Sequence, residues 1–170
     1  MEQGLLKTLN PRVSFDAAGA TILVANIAQE TIEGKAEKVE VDKTSKDVRL
    51  LAANGKLIAF YPASIGSKDR PAPSGTLKVR SIKENPTYHY SPRLRFKQVK
   101  ANRPFDIAPG PNNPVGLVWI DLGNGYGIHG TPDPSNVGKS FSHGCIRLTN
   151  WDAVQLAKLI KPGTQVEFRE

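Results

Sequence analysis

Hydrophobic and charged residues alternate along Val39-Glu40-Val41-Asp42, a period of two that predicts a strand with one buried face. Two apolar runs follow, Val48-Arg49-Leu50-Leu51 and Leu57-Ile58-Ala59-Phe60-Tyr61, with Asn54-Gly55 between them. They read as a hairpin, because Asn-Gly accepts the positive φ angles of a tight turn. Further strands are expected over 75–80, 115–122, 126–129, 145–148 and 165–169. One helix of ordinary length is expected over 150–160, with Thr149 or Asn150 as its N-cap. Ala153, Leu156, Ala157 and Ile160 share one face of it and would lie against a sheet, and Lys161-Pro162-Gly163 ends it. Nearer the N-terminus, Leu5 to Pro11 predicts a short helix ended by Asn-Pro, followed by a strand over 19–24. The charged stretch from Gln29 to Lys38 fits a connector. The segment 101–114, with four prolines and Asn112-Asn113, reads as a long surface loop, where ligand-contacting residues often sit. The pattern predicts a mostly β fold with one packed α-helix near the C-terminus.

The length of 170 residues gives room for one ordinary domain, or a domain with a short annex. A lone cysteine, Cys145, excludes intramolecular disulfides, and a chain of this size can bury a core without them. Lys and Arg number 23 against 16 Asp and Glu, and the net charge of +7 favours an anionic partner. The basic residues are scattered and do not interleave with stacking aromatics, which argues against nucleic acid. Apolar runs fall well short of the roughly 20 residues of a transmembrane helix, so no transmembrane segment is expected. Met1 leads into Glu2-Gln3-Gly4 and not into a basic segment with an apolar continuation, so no export signal is visible. Taken literally the chain is cytosolic; a chain shortened from a longer exported protein is the equal expectation.

Candidate chemistry concentrates in Ile128-His129-Gly130-Thr131-Pro132 and Ser142-His143-Gly144-Cys145-Ile146-Arg147-Leu148. A free thiol has a pKa of about 8.5, and pairing with histidine can lower it to about 3–4, so a nearby imidazole would hold Cys145 as a reactive thiolate. His129 ends one expected strand and Cys145 begins another, and adjacent strands would bring the two side chains together. Gly144 lets the backbone turn tightly just before the cysteine and aim successive N–H groups at one spot, as an oxyanion hole requires. Arg147, two residues on along a strand, would share a face with Cys145 and present its guanidinium to a substrate carboxylate. Bland alternatives stand beside these. Cys145 alone would most often be a buried small hydrophobe. His129 and His143 fit ordinary polar positions, or a three-ligand zinc site with Cys145, although no fourth ligand or second motif supports a metal. Arg147 fits a solvated strand position equally well, and His89 reads as a structural or surface residue.

The same residues resemble the signature of the L,D-transpeptidase catalytic domain, the YkuD-like family of bacterial cell-wall enzymes. Its pattern of a His, a spacer and Ser/Thr-His-Gly-Cys is matched by His129 and Ser142-His143-Gly144-Cys145. Gly75-Thr76, Asn113-Pro114-Val115-Gly116, Tyr126-Gly127-Ile128-His129-Gly130-Thr131 and Ile146-Arg147-Leu148-Thr149-Asn150 also resemble family segments. The resemblance covers residues 37–170 and implies a YkuD-like β-sandwich. Within it, Cys145 would be the nucleophile, His129 its base and Gly130 the donor of an orienting backbone carbonyl, its lack of a side chain being immaterial. Ser142, His143 and Gly144 would shape the pocket and oxyanion hole, and Arg147, Tyr126 and Asn113 would contact substrate. The spacer from His129 to Ser142 holds 12 residues, shorter than in one common form of the pattern, and Arg147 stands where that form has Asn.

The resemblance further implies a peptidoglycan L,D-transpeptidase acting on tetrapeptide stems, acylated by carbapenem-type ligands and requiring no metal or organic cofactor. An L,D-carboxypeptidase, with water as acceptor, and a non-catalytic peptidoglycan-binding module are the alternatives. Residues 1–36 resemble part of a LysM module, through Leu5 to Pro11 and Gly19 to Asn26. A periplasmic or cell-wall location is the corresponding expectation.

Overall fold

The computed structural model describes residues 3–25, 32–67, 70–92, 102–139 and 144–170, in two units, 1–32 and 33–170. In the first unit the expected helix forms as α1 (Gln3–Leu9), without a single buried side chain. Asn10 closes it: its amide nitrogen donates to the carbonyls of Leu6 and Leu23, each at 2.8 Å, and its amide oxygen accepts from the Leu23 N–H at 2.6 Å. The strand expected over 19–24 does not form. Its backbone is tied to a side chain and not to a neighbouring strand, and Leu23 and Val24 are exposed. Asn26, the last residue of the LysM-like stretch, lies outside the described residues, as does the first part of the connector from Gln29.

In the second unit, the alternation at 38–42 becomes β1 (Lys38–Asp42), which pairs antiparallel with β2 (Asp47–Leu51) and parallel with the C-terminal strand β12 (Gln165–Arg169). The expected hairpin joins β2 to β3 (Leu57–Pro62), with Gly55 at φ 77° in the turn. With β5 (Gly75–Lys78) on the other edge, these make a five-stranded sheet in the order β3-β2-β1-β12-β5. One face carries Val39, Val41, Val48, Leu50, Ala59, Tyr61, Val166 and Phe168, all buried. The opposite face carries charge: Glu40 meets Lys38 at 2.7 Å and Arg169 at 2.6 Å, and Lys38 also meets Glu167 at 3.0 Å.

A second five-stranded sheet runs β4 (Ser64–Ile65), β11 (Ile146–Arg147), β10 (Tyr126–His129), β9 (Val118–Gly123), β6 (Ser81–Glu84). The chain passes between the sheets at two corners, Ala63 and Val79-Arg80, and this is why the strand expected over 75–80 ends early. A two-stranded ribbon, β7 (Tyr88–Tyr90) with β8 (Phe105–Ile107), completes the β structure. The 101–114 segment was expected to be loop throughout; three of its residues form β8 because they pair with 88–90. Residue Ala101 lies outside the described residues.

The expected long helix is α2 (Asn150–Leu159), capped by Thr149, whose hydroxyl accepts from the Asp152 N–H at 3.1 Å. Ala153, Leu156, Ala157 and Leu159 are its buried residues, and it packs on β9 and β10. Gln155 accepts from the Tyr61 hydroxyl at 2.9 Å, tying the helix to the first sheet as well. Among the described residues no helix is long and apolar enough to cross a membrane.

Leu50 is wholly buried on β2. Leu50→Ala is expected to cost about 2–5 kcal/mol, read as a lower urea midpoint at unchanged slope. Leu57→Ala, at a position 51% exposed, should stay within about 0.5 kcal/mol of the parent. Equal midpoints for the two variants would contradict this core assignment.

Candidate active site

Parallel pairing of β10 with β11 sets the site. Ile128 faces Ile146 and His129 faces Arg147 in register, and the Leu148 N–H continues the ladder to the His129 carbonyl at 2.9 Å. Ile128 and Ile146 are both fully buried, so the residues alternating with them point to the other side of the sheet. That side holds His129, Arg147 and, at the start of the strand, Cys145. Strand spacing and rise put the Cys145 and His129 backbones one diagonal step apart, about 8 Å. The strand expected over 145–148 is shorter than foreseen, because pairing with β10 and β4 covers only 146 and 147.

His129 is 6% exposed, and its Nδ1 lies 2.6 Å from the Gly130 carbonyl oxygen. A carbonyl only accepts, so Nδ1 carries the hydrogen and Nε2 is left with its lone pair. Burial lowers the imidazole to about 4; the Gly130 hydrogen bond opposes this, and the Arg147 charge reinforces it. The ring is neutral near pH 7. Trp119, the cross-strand partner of His129 on β9, stacks on it with centroids 5.6 Å apart and planes at 23°. The indole has room only because residue 127 is glycine: a Cβ there would lie 2.6 and 2.7 Å from Trp119 Cζ2 and Cη2.

Cys145 is half-buried, with Sγ 3.8 Å from the Gly125 carbonyl oxygen. Burial pushes its thiol up, while a backbone hydrogen bond with Gly127 and the Arg147 charge pull the other way. Desolvation disfavours both charges, and these directions run against the resting thiolate–imidazolium pair anticipated from the His/Cys motif.

Gly144 has φ 98°, a left-handed conformation that favours glycine, and lies against Tyr126: a Cβ there would be 3.3 Å from Tyr126 Cε1. Arg147 is partly buried, and its Nε has no hydrogen-bond partner among the described residues. Burial lowers this guanidinium, and Asp133 and then Cys145 act against that. Tyr88 is raised by burial first and next by Cys145, so β7 comes within electrostatic reach of the thiol.

Asn113 departs from its expected role. It is 1% exposed, and its Nδ2 donates to the carbonyls of Pro86 at 3.1 Å, Ile107 at 3.3 Å and Ala108 at 3.1 Å, while Oδ1 accepts from the Val115 N–H at 3.0 Å. An amide spent on backbone in this way fastens the loop between β8 and β9 and offers nothing to a substrate. Ser142 and His143 lie outside the described residues. Gly130 also needs correction, because its missing side chain is consequential: a Cβ would overlap Asn150 Oδ1. His89 is exposed and meets Asp106 across the β7–β8 ribbon at 2.6 Å. Among the described residues no group of three or more His, Cys, Asp or Glu side chains is arranged to hold a metal ion.

Sequence reasoning missed Trp119, Tyr88 and the packing role of Asn150. A signal for Trp119 was available: it sits between Val118 and Ile120, on the face opposite these apolar residues, and pairs across a tight hairpin with the His129 strand.

The L,D-transpeptidase catalytic domain family, YkuD, matches residues 36–168. A protein of Escherichia coli named as a probable L,D-transpeptidase, YbiS, is 32% identical over 165 residues, covering 94% of this chain and 53% of its own length. A Bacillus licheniformis protein carrying the name YkuD is 30% identical over 154 residues, covering 89% of this chain and 76% of its own. The chain thus spans about half the length of the first of these relatives. Among solved structures, an L,D-transpeptidase from Mycobacterium smegmatis superposes with a TM-score of 0.62 at 19% identity, covering 79% of this chain and 59% of that one. L,D-transpeptidase 3 from Mycobacterium tuberculosis, solved with a faropenem-derived adduct, gives 0.61 at 19% identity, covering 78% and 59%. These two likenesses establish the mostly β fold with its one main C-terminal helix, and the family match establishes kinship: the chain belongs to the YkuD family of L,D-transpeptidase catalytic domains.

Proposed function

We propose that the protein is a peptidoglycan L,D-transpeptidase working through a thioester on Cys145. The observation that carries this is His129: buried, neutral, its Nδ1 committed to the Gly130 carbonyl and its Nε2 free to take a proton, on the sheet face that also bears Cys145. Attack transfers the thiol proton to Nε2 as sulfur bonds to the carbonyl carbon of the third stem residue. The N–H groups of Gly144 and Cys145 receive the negative charge that develops on oxygen. Collapse of the tetrahedral adduct breaks the C–N bond, and His129 returns its proton to the departing D-alanine amine. In the second half an amine of another stem attacks the thioester, His129 takes its proton, and the thiol is regenerated. Arg147, with its unpartnered Nε beside Cys145, is assigned to the substrate carboxylate, and Tyr126 to the pocket wall beside Gly144.

The location that suits this substrate is the periplasm or cell wall. Residues 1–36 are proposed to serve as a LysM-like contact with glycan, on account of a groove of about 290 Å³ lined by Gln3, Leu6, Lys7 and Phe15.

Incubation with a carbapenem should add the mass of the opened drug to the peptide containing Cys145, and Cys145→Ala should abolish both the adduct and cross-linking of purified tetrapeptide stems. Full cross-linking by Cys145→Ala would refute the mechanism. Products formed with and without an added acceptor amine separate transfer from hydrolysis, and a chain that binds peptidoglycan yet never acylates would be a binding module.

Because burial raises the thiol, iodoacetamide alkylation of Cys145 should be slow at neutral pH and rise with an inflection above that of an ordinary thiol. An inflection below pH 7 would restore the resting ion pair. For the N-terminal segment, Phe15→Ser should weaken cosedimentation of the protein with insoluble peptidoglycan, and an unchanged bound fraction would remove it from glycan binding.

A further inference from the structure

Asn150, the first residue of α2, lies in a slot with glycine on two sides. A Cβ on either Gly116 or Gly130 would overlap its Oδ1. The two glycines also leave each other no room for a side chain, since a Cβ on Gly116 would lie 2.7 and 2.8 Å from the C and Cα of Gly130. Gly116 has φ 64° and is therefore demanded twice, by conformation and by space. The amide is pinned at both ends: Oδ1 accepts from the Leu117 N–H at 3.1 Å, and Nδ2 donates to the Pro111 carbonyl at 3.1 Å. N-capping of α2 falls to Thr149, so helix termination does not account for these contacts.

We infer that Asn150 is a positioning residue, whose side-chain amide, wedged against Gly116 and Gly130 and tied to Leu117 and Pro111, fixes the Gly130 carbonyl that holds the imidazole of His129. The 130 peptide cannot rotate without driving Gly130 into the amide or into Gly116. Its carbonyl consequently stays aimed at Nδ1, and the ring keeps Nε2 toward Cys145. Asn150 is also joined to the nucleophile's own strand through only Ile146 to Thr149, with Leu148 bonded to the His129 carbonyl. One side chain thus references base and nucleophile to the same helix terminus. This role rests on His129 acting as the base in the proposed function.

The test compares wild type with Asn150→Ala and Asn150→Asp in the full chain, each first checked for a cooperative thermal transition. Nitrogen-15 NMR of the His129 ring reads the tautomer and titration directly and needs no turnover. Wild type should show the Nδ1–H tautomer at neutral pH. Asn150→Ala should lose that tautomer preference and titrate lower still, because the Gly130 hydrogen bond it misaligns is what holds the imidazole up against burial, with carbapenem acylation slowed about tenfold to a hundredfold. Its alkylation by iodoacetamide at high pH, which needs no base, should be unchanged. Asn150→Asp keeps the acceptor for Leu117 and should retain much of the wild-type tautomer.

Should Asn150→Ala fail to fold, Gly130→Ala supplies the same comparison, since its methyl displaces the amide from the opposite side. A folded variant of either kind with an unaltered His129 tautomer and titration overturns the inference. If the ring signals shift as expected while wild-type Cys145 never acylates, the positioning role stands and the catalytic assignment falls.

Discussion

The bond from His129 Nδ1 to the carbonyl of the very next residue is the interaction on which the rest of the site depends. It needs no acidic partner, and it selects the tautomer that leaves Nε2 able to accept a proton. Burial alone would leave a neutral ring free to choose either tautomer and several orientations. With Nδ1 engaged, Trp119 against one face and Gly127 making room for that indole, the orientation is over-determined. The cost is desolvation, visible in the imidazole lowered to about 4, and a neutral ring is what a base at ordinary pH requires.

Much of the architecture was legible in the sequence because it rests on local signals. The alternation at 38–42, the Asn-Gly turn and the capped amphipathic stretch after Thr149 each carry their own structure, and β1, the β2–β3 hairpin and α2 follow. What failed depended on partners distant in sequence. Residues 105–107 become a strand only by pairing with 88–90, and the segment 19–24 has strand-forming residues but no neighbour within the described chain. The corner at Val79-Arg80, which ends the expected strand two residues early and carries the chain into the other sheet, has no local marker.

Within the site, the residue types and spacing of His129 and Cys145 identified the candidate pair, and the parallel register between 128–129 and 146–147 puts them on one face. Their charge state was not legible. A His and a Cys in a motif suggest an ion pair, whereas solvent exclusion decides the outcome, and exclusion is a property of the assembled sheets. Asn113 misled for the same reason. An asparagine in a Pro-rich stretch looks available to a ligand, yet four backbone groups consume its amide. The roles of glycine were likewise hidden, because the absence of a side chain at 116, 127 and 130 matters only once the indole and the amide that fill those spaces are in place.

The two corners have a mechanical consequence. At Ala63 a single buried residue carries the backbone from one sheet to the other, and at Val79-Arg80 only two residues do so. Such short covalent tethers resist shear, so the sheets cannot slide past one another as loosely linked layers can. Adjustment of shape must therefore come at the periphery, from the connections around the strand ends, which can vary without disturbing the rigid body beneath.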